Sequence, residues 1–245
     1  ALESDVEGTI DLRYGGSVSK HTYVDGLSDI DTLAILNNSE LAGLSPKEVK
    51  EYFRDRLQQR LPDTKVEIGK LAVTVHFKTS GFEIQVLPCL KTSDGIHLPS
   101  SRNANEWSHI IQPDRFVKAM RYINTRMSGK LVPVIKLSKS IISSFPENRQ
   151  LSGYHVEALA VNIFSNYNGE KTPKAMLKHF FTEATNRVLR PIGDNTGQSI
   201  HVDEYLGSAH SLERKMISDS MSTVARKLHN ADGSRNIRSW DEILK

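Results

Sequence analysis

The sequence predicts an α+β fold, with a mixed β-sheet and one long helix in the first half of the chain and an all-helical second half. Three observations carry that reading. Short runs rich in β-branched and other apolar residues, "DTLAIL", "KLAVTVHF" and "GFEIQVLP", fall before residue 110. A single helical pattern lies between the first two. From Pro113 onward, long segments repeat their apolar residues at helical spacing.

The elements follow in order. "DTLAIL", residues 31–36, is a strand whose alternate side chains share a face. "LSPKEVKEYFRDRLQQRL" is the helix: Ser45 is its N-cap, Pro46 lies in the first turn, and Glu48 completes a capping box. Val49, Phe53, Leu57 and Leu61 recur every fourth residue and mark its buried stripe. "KLAVTVHF" and "GFEIQVLP", joined by the turn-forming "KTSG", read as a β-hairpin. The helical half contains "PDRFVKAMRYINTRM", "LVPVIKLSKSIISSF", "GYHVEALAVNIFSNY", "TPKAMLKHFFTEATNRVL" and a last amphipathic stretch around Ser208 to Ala231. The change of pattern near residues 110 to 130 divides the chain into 1–125 and 126–245. The loop "PIGDNTGQSIHVDEYLG" is long and polar, either functional or a connector.

Composition narrows the class. A chain of 245 residues, 38% hydrophobic, buries a real core. Its 32 basic against 29 acidic residues, net +3 and pI near 8.9, suit anionic ligands but are too small an excess to indicate nucleic-acid binding. The single cysteine, Cys89, excludes an internal disulfide and a cysteine zinc cluster, and fits a reducing cytoplasm. No run of about 18 apolar residues exists to span a membrane. "ALESDVEGTI" is not a signal peptide, and because the chain opens without Met, upstream residues are expected. The nine histidines show no metal-ligand spacing, and His155 and Glu157, two apart on a helix, are expected to serve packing. Arg187 and Arg190 form a small basic cluster at a helix end.

The stretch with chemistry is "GGSVSKHTYVDGLSDIDTLAIL", Gly15 to Leu36. In a strand, Asp29 and Asp31 project to one face. Two adjacent carboxylates repel unless a cation lies between them or water solvates them. Gly15 and Gly16 allow a tight turn close to a ligand, and Ser17 adds a hydroxyl and an amide there. Ser19, Lys20 and Thr22 are further donors. A glycine turn for a triphosphate, followed by a carboxylate pair for Mg²⁺, is the equipment of phosphoryl or nucleotidyl transfer.

Gly16-Ser17, an eleven-residue spacer and Asp29-Ile30-Asp31 resemble the signature of the polymerase-β-like nucleotidyltransferases. The longer string, which includes Ser19, Lys20, Thr22 and Ser28, resembles the cGAS/DncV-like branch, the CD-NTases of bacterial anti-phage signalling. "KLVPVIKLSKSI" followed by "LSGYHVEALAV" is similar to the helical half of that family. The resemblance implies a polymerase-β-like core and a helical C-terminal domain closing the nucleotide cleft. It places Gly16, Ser17, Lys20, Thr22, Ser28, Lys136 and Ser152 on the nucleotide, with Lys139 a weaker candidate. Ser152 also stands at an expected helix start, where free amides favour an anion. Asp194 to Gly207 looks like a family segment that closes back over the cleft.

The family mechanism implies a third carboxylate, and its slot in "FEIQVLP" holds Gln85. Glutamine is neutral and cannot act as a base. Glu83 lies two residues earlier and on the same strand face. Three readings stay open: Glu83 replaces the usual carboxylate, two aspartates suffice with water or a substrate phosphate, or catalysis is lost. The first assigns Asp29, Asp31 and Glu83 as catalytic and metal-binding residues.

The resemblance further implies a metal-dependent enzyme in the bacterial cytoplasm, using Mg²⁺ or Mn²⁺. It would join NTPs, ATP among them, with release of pyrophosphate, into a cyclic di- or oligonucleotide second messenger. A separate effector would respond to that product, with no membrane and no required nucleic acid. Two rivals remain: transfer to a linear oligonucleotide, RNA or protein acceptor, and a non-catalytic nucleotide sensor.

Overall fold

The computed structural model describes residues 9–27, 30–37, 40–78, 81–100, 103–194, 202–234 and 237–244. The described chain divides into two compact units. One contains residues 9–20 and 30–115, the other 21–27, 116–194, 202–234 and 237–244. The division therefore falls at Arg115 and Phe116, ten residues before the expected boundary at 125. The reason is packing: Phe116, Met120 and Ile123 are buried in the helical core.

The first unit is a mixed sheet of β1 (Thr9–Tyr14), β2 (Ile30–Asn37), β3 (Lys65–Ile68), β4 (Val73–His76), β5 (Glu83–Lys91) and β6 (Ile96–His97). Its order is β1-β2-β5-β4-β3, with β6 beside β5. β2 and β5 run parallel, and the other pairs are antiparallel. The expected hairpin is β4 and β5. Before β2, residues Gly16–Ser19 form a single helical turn, α1.

α2 (Pro46–Arg60) covers one face of this sheet. Its capping box is formed as expected: Ser45 Oγ accepts from the Glu48 amide, and Glu48 Oε2 accepts from the Ser45 amide at 2.8 Å. Those bonds hold the Glu48 carboxyl below the usual carboxylate range. Val49, Phe53 and Leu57 pack on Ile10, Ala34, Leu36, Val73, Val75 and Val86. Burying each large side chain contributes about 1.5–3 kcal/mol. The opposite face carries a smaller cluster of Ile35, Cys89, Leu98 and Ile111, with Leu33 and Leu87 beside it. Cys89 is a buried apolar group whose thiol is pushed well above its usual range by desolvation.

The second unit is helical, comprising α3 (Pro113–Arg126, from Phe116), α4 (Leu131–Ser143), α5 (Gly153–Phe164), α6 (Pro173–Arg187), α7 (Leu212–Ser234) and α8 (Ile237–Leu244). Their apolar stripes meet in one core around Ile135, Leu159, Phe164, Phe180, Phe181 and Met221. α6 starts where Thr172 caps the Ala175 amide and Pro173 occupies the first turn. α8 adds Trp240 and Ile243 to the core margin, an element the sequence pattern did not reveal. No helix among the described residues is long and apolar enough to cross a membrane.

Candidate active site

The glycine pair docks directly on β2. The Gly15 amide donates to the Asp31 carbonyl at 2.8 Å, which brings the turn onto the strand start. Gly16 adopts φ +47°, in the left-handed region, and a Cβ there would lie 1.6 Å from Asp31 Oδ2. The carboxylate of Asp31 thus occupies the space that a side chain on residue 16 would need. A Cβ on Gly15 would press on Leu33 at 3.1 Å. Glycine is required at 16 twice over, by backbone conformation and by close approach. Ser17 follows on α1 and Lys20 caps its C-terminal end, and Ser19 Oγ donates back to the Gly16 carbonyl at 3.1 Å. Asp29 and Ser28 lie outside the described residues.

Strand register then decides the neighbours of Asp31. Asp31 pairs with Gln85 across the parallel β2–β5 ladder, and Gln85 pairs with Thr74 on β4 and Thr74 with Glu67 on β3. Directly paired residues share a face, so Asp31, Gln85, Thr74 and Glu67 form one row on the face opposite α2. The next row on that face is Glu83, His76 and Lys65. Gln85, not Glu83, stands beside Asp31. Glu83 is half exposed and accepts a hydrogen bond at 2.7 Å from His76 Nδ1. Among the described residues, no three His, Cys, Asp or Glu side chains are grouped as a metal's ligands. Glu83, expected as the third carboxylate, lies one pair along the strand from Gln85 and is hydrogen-bonded to His76, because the ladder places a histidine across from it.

The helical unit holds the other expected residues. Ser152 is the N-cap of α5, where its Oγ accepts from the His155 amide at 3.2 Å, and its own amide donates to the Tyr205 hydroxyl at 3.2 Å. Lys136 is exposed on α4 and makes no hydrogen bond or ion pair among the described residues. Lys139, one turn on, is buried. Its Nζ lies 2.8 Å from Glu157 Oε1 and donates to the Thr22 carbonyl at 3.1 Å.

Thr22 corrects an expectation. It is fully buried in the helical unit, and its hydroxyl donates to Glu157 rather than standing open as a phosphate donor. The cause is the buried Lys139–Glu157 pair, which needs further polar partners when removed from water. Residues 117 apart in sequence build this cluster, and no local pattern reports it. A Cβ on Gly153 would lie 3.4 Å from Lys139 Nζ, so this ammonium also abuts the start of α5.

A second buried network anchors the segment after residue 201. The Arg214 guanidinium, with no exposed surface, donates to Asp203 Oδ2 at 2.7 Å and to the carbonyls of Val188, Gly207 and Ser208. Asp203 also accepts from the Ile192 amide. Residues 202–207 of the expected closing segment are thereby fixed to the helical unit, while residues 195–201 lie outside the described ones.

His155 sits beside this network, its Nδ1 3.0 Å from the Tyr205 hydroxyl. Burial lowers its pKa to about 4, Asp203 opposing and Arg214 reinforcing the shift. The folded form therefore refuses a proton that the unfolded chain accepts below pH 6.5. Acidification from about 6.5 to 4 should cost stability at this residue, each unit of separation being worth about 1.4 kcal/mol. Urea unfolding of the wild type and His155→Gln across that window checks this, with a shallower pH slope expected in the variant.

Comparison with known proteins agrees with this geometry at the level of fold. The chain shares its fold, a mixed sheet followed by a helical region, with solved structures of CD-NTases. It is similar to CdnC of E. coli MS115-1, determined with ATP, at a TM-score of 0.74 and 17% identity, over 95% of this chain and 82% of that one. It is similar to the STING-associated CdnE c-di-GMP synthase of Capnocytophaga granulosa at 0.67 and 18%, over 93% and 77%. Against the DncV cyclic AMP-GMP synthase of Vibrio cholerae the values are 0.73 and 14%, over 91% and 64%. No family profile matches the sequence, and no curated protein does.

Proposed function

We propose that this chain is a nucleotidyltransferase that joins NTPs with release of pyrophosphate. The observation that carries the reading is the contact between Gly16 and Asp31, a glycine turn that closes against a carboxylate at the start of a strand, in a CD-NTase fold. That contact sets the turn's backbone and Ser17 next to a hard anionic oxygen donor, the pairing a triphosphate and its cation require.

The chemistry is attack of a ribose hydroxyl oxygen on the α-phosphorus of an NTP. A new oxygen–phosphorus bond forms, the bond to pyrophosphate breaks, and pyrophosphate leaves with that electron pair. Glu83 accepts the proton of the attacking hydroxyl, since Gln85 beside Asp31 cannot. Gly16, Ser17 and Lys20 hold the triphosphate. Asp31 fits a divalent cation as a carboxylate oxygen donor and would hold Mg²⁺ or Mn²⁺ together with Asp29. That ion supplies charge neutralisation at the phosphate oxygens.

The proposed product is a cyclic di- or oligonucleotide that acts as a second messenger on a separate effector in anti-phage defence. The CdnE and DncV relatives, named as c-di-GMP and cyclic AMP-GMP synthases, support it. Gln85 beside Asp31 favours one alternative, a nucleotide sensor without turnover. Incubation with each labelled NTP, singly and mixed, followed by phosphatase and chromatography, separates the readings. A phosphatase-resistant product supports the cyclase, label on RNA or protein supports a different acceptor, and binding without pyrophosphate supports the sensor.

A further inference from the structure

The face that carries Asp31 also carries a chain of paired side chains that the proposed chemistry does not yet use. His76 stands across from Glu83 in the β4–β5 ladder and across from Lys65 in the β3–β4 ladder. Its Nδ1 is hydrogen-bonded, whereas its Nε2 lies close to a carboxylate without forming a hydrogen bond. Nδ1 is 2.7 Å from Glu83 Oε1 and Nε2 is 2.9 Å from Glu67 Oε2, while Lys65 Nζ holds Glu67 Oε1 at 2.7 Å. Lys65 holds the Glu67 carboxyl below its ordinary range, with His76 adding to the effect, so Glu67 presents a full negative charge to the ring. The imidazole thus has a carboxylate close to its far side and its one hydrogen bond on Glu83.

Glu83 is the only carboxylate on this face of β5, and it lies diagonally one step from Asp31 across Gln85. Its side chain is long, half exposed and free to sample several rotamers unless something holds it. His76 binds Oε1, and Oε2 has no hydrogen bond among the described residues. One oxygen is tethered and the other stays available.

Resting on the nucleotidyl-transfer reading, we propose that His76 is a positioning residue: its Nδ1–H tethers Glu83 Oε1 so that Oε2 receives the proton of the attacking hydroxyl. A histidine-held glutamate thereby takes over the task that Gln85 cannot perform. The proton moves from the hydroxyl to Glu83 as the oxygen–phosphorus bond forms, and pyrophosphate departs from the same phosphorus.

The test is steady-state pyrophosphate release by the wild type, His76→Ala, His76→Asn, His76→Gln, Glu83→Gln and the double variant His76→Ala/Glu83→Gln. A freed carboxylate loses its aligned geometry, so His76→Ala should lower kcat roughly tenfold or more with KM for NTP nearly unchanged. The Asn amide reaches about where Nδ1 stood and should restore most of kcat, whereas the longer Gln amide, nearer the Nε2 position, should not. Adding His76→Ala to Glu83→Gln should cost nothing further. Full kcat in His76→Ala, equal loss in the Asn and Gln variants, or additive losses in the double variant would overturn the proposal while leaving the nucleotidyl-transfer reading intact. Should the alanine variant fail to fold, the Asn and Gln pair decides alone. Absence of turnover in the wild type with every NTP would overturn both readings together.

Discussion

Gly16→Ala should remove nearly all nucleotidyl transfer while changing the composition of the site by a single methyl group. That methyl would lie 1.6 Å from Asp31 Oδ2 and 2.7 Å from Asp31 Cγ, so the carboxylate or the turn must move by well over an ångström. The backbone adds to the conflict, since φ +47° is a conformation that L-residues adopt at a cost of about 1–2 kcal/mol. A displacement of this size at a reacting centre costs about 10²-fold in rate. Overpacking and the backbone conflict together should lower stability by about 1–3 kcal/mol. Pyrophosphate release and thermal melting measured on the same preparation check both effects. The neighbouring Gly15→Ala, which meets a flexible leucine at 3.1 Å rather than a carboxylate, should be the milder change.

Lys139→Met should be among the most destabilising single substitutions in the helical unit. Lys139 and Glu157 are both almost wholly buried, and their contact is 2.8 Å. Removing the lysine leaves the Glu157 carboxylate without its countercharge in a dry site, where Thr22 alone cannot replace it. The expected loss is about 3–5 kcal/mol. The pair itself is worth far less than that figure, because its desolvation cost offsets most of the attraction. The double variant Lys139→Met/Glu157→Leu should therefore recover much of the stability lost in the single variant. Chemical denaturation of the three proteins reads this directly. Recovery in the double variant identifies a penalty for an orphaned charge, whereas equal loss would mean the bridge itself stabilises the fold. Thr22→Val should lose about 1–3 kcal/mol by the same logic, through the polar groups it leaves unmet.

How much of this was legible in the sequence depends on whether the signal is local. The capping box at Ser45 and Glu48, the stripe of Val49, Phe53 and Leu57, and the hairpin of β4 and β5 are all encoded within a few residues, and each appears where expected. The strand β1 was missed although Ile10, Leu12 and Tyr14 alternate with polar residues, because the glycine turn that follows dominates the pattern there. β3 has four residues with one buried side chain, too few for periodicity to register.

The candidate site divides along the same line. Gly16 and Asp31 are recognisable from a motif, and the structure adds the close approach that explains why residue 16 has no side chain. The neighbour of Asp31 depends on the β2–β5 register, which pairs residues more than fifty apart, so Gln85 beside it is not readable from spacing. Thr22 shows the opposite failure. A motif position suggested a phosphate donor, but a buried ion pair from two distant helices claimed its hydroxyl. Lys136 and Lys139 sit one turn apart on α4, and only the packed core separates the exposed lysine from the buried one.

The measurement that bears most directly on the account is pyrophosphate release from NTPs, with Mg²⁺ and with Mn²⁺, by the wild type and by Asp31→Ala. The account predicts release by the wild type and a fall of about 10³-fold in the variant, the scale expected when a main charge-stabilising group at a phosphoryl centre is lost. Asp31→Ala releasing pyrophosphate at the wild-type rate would contradict it, because the carboxylate that the glycine turn closes upon would then have no part in the chemistry.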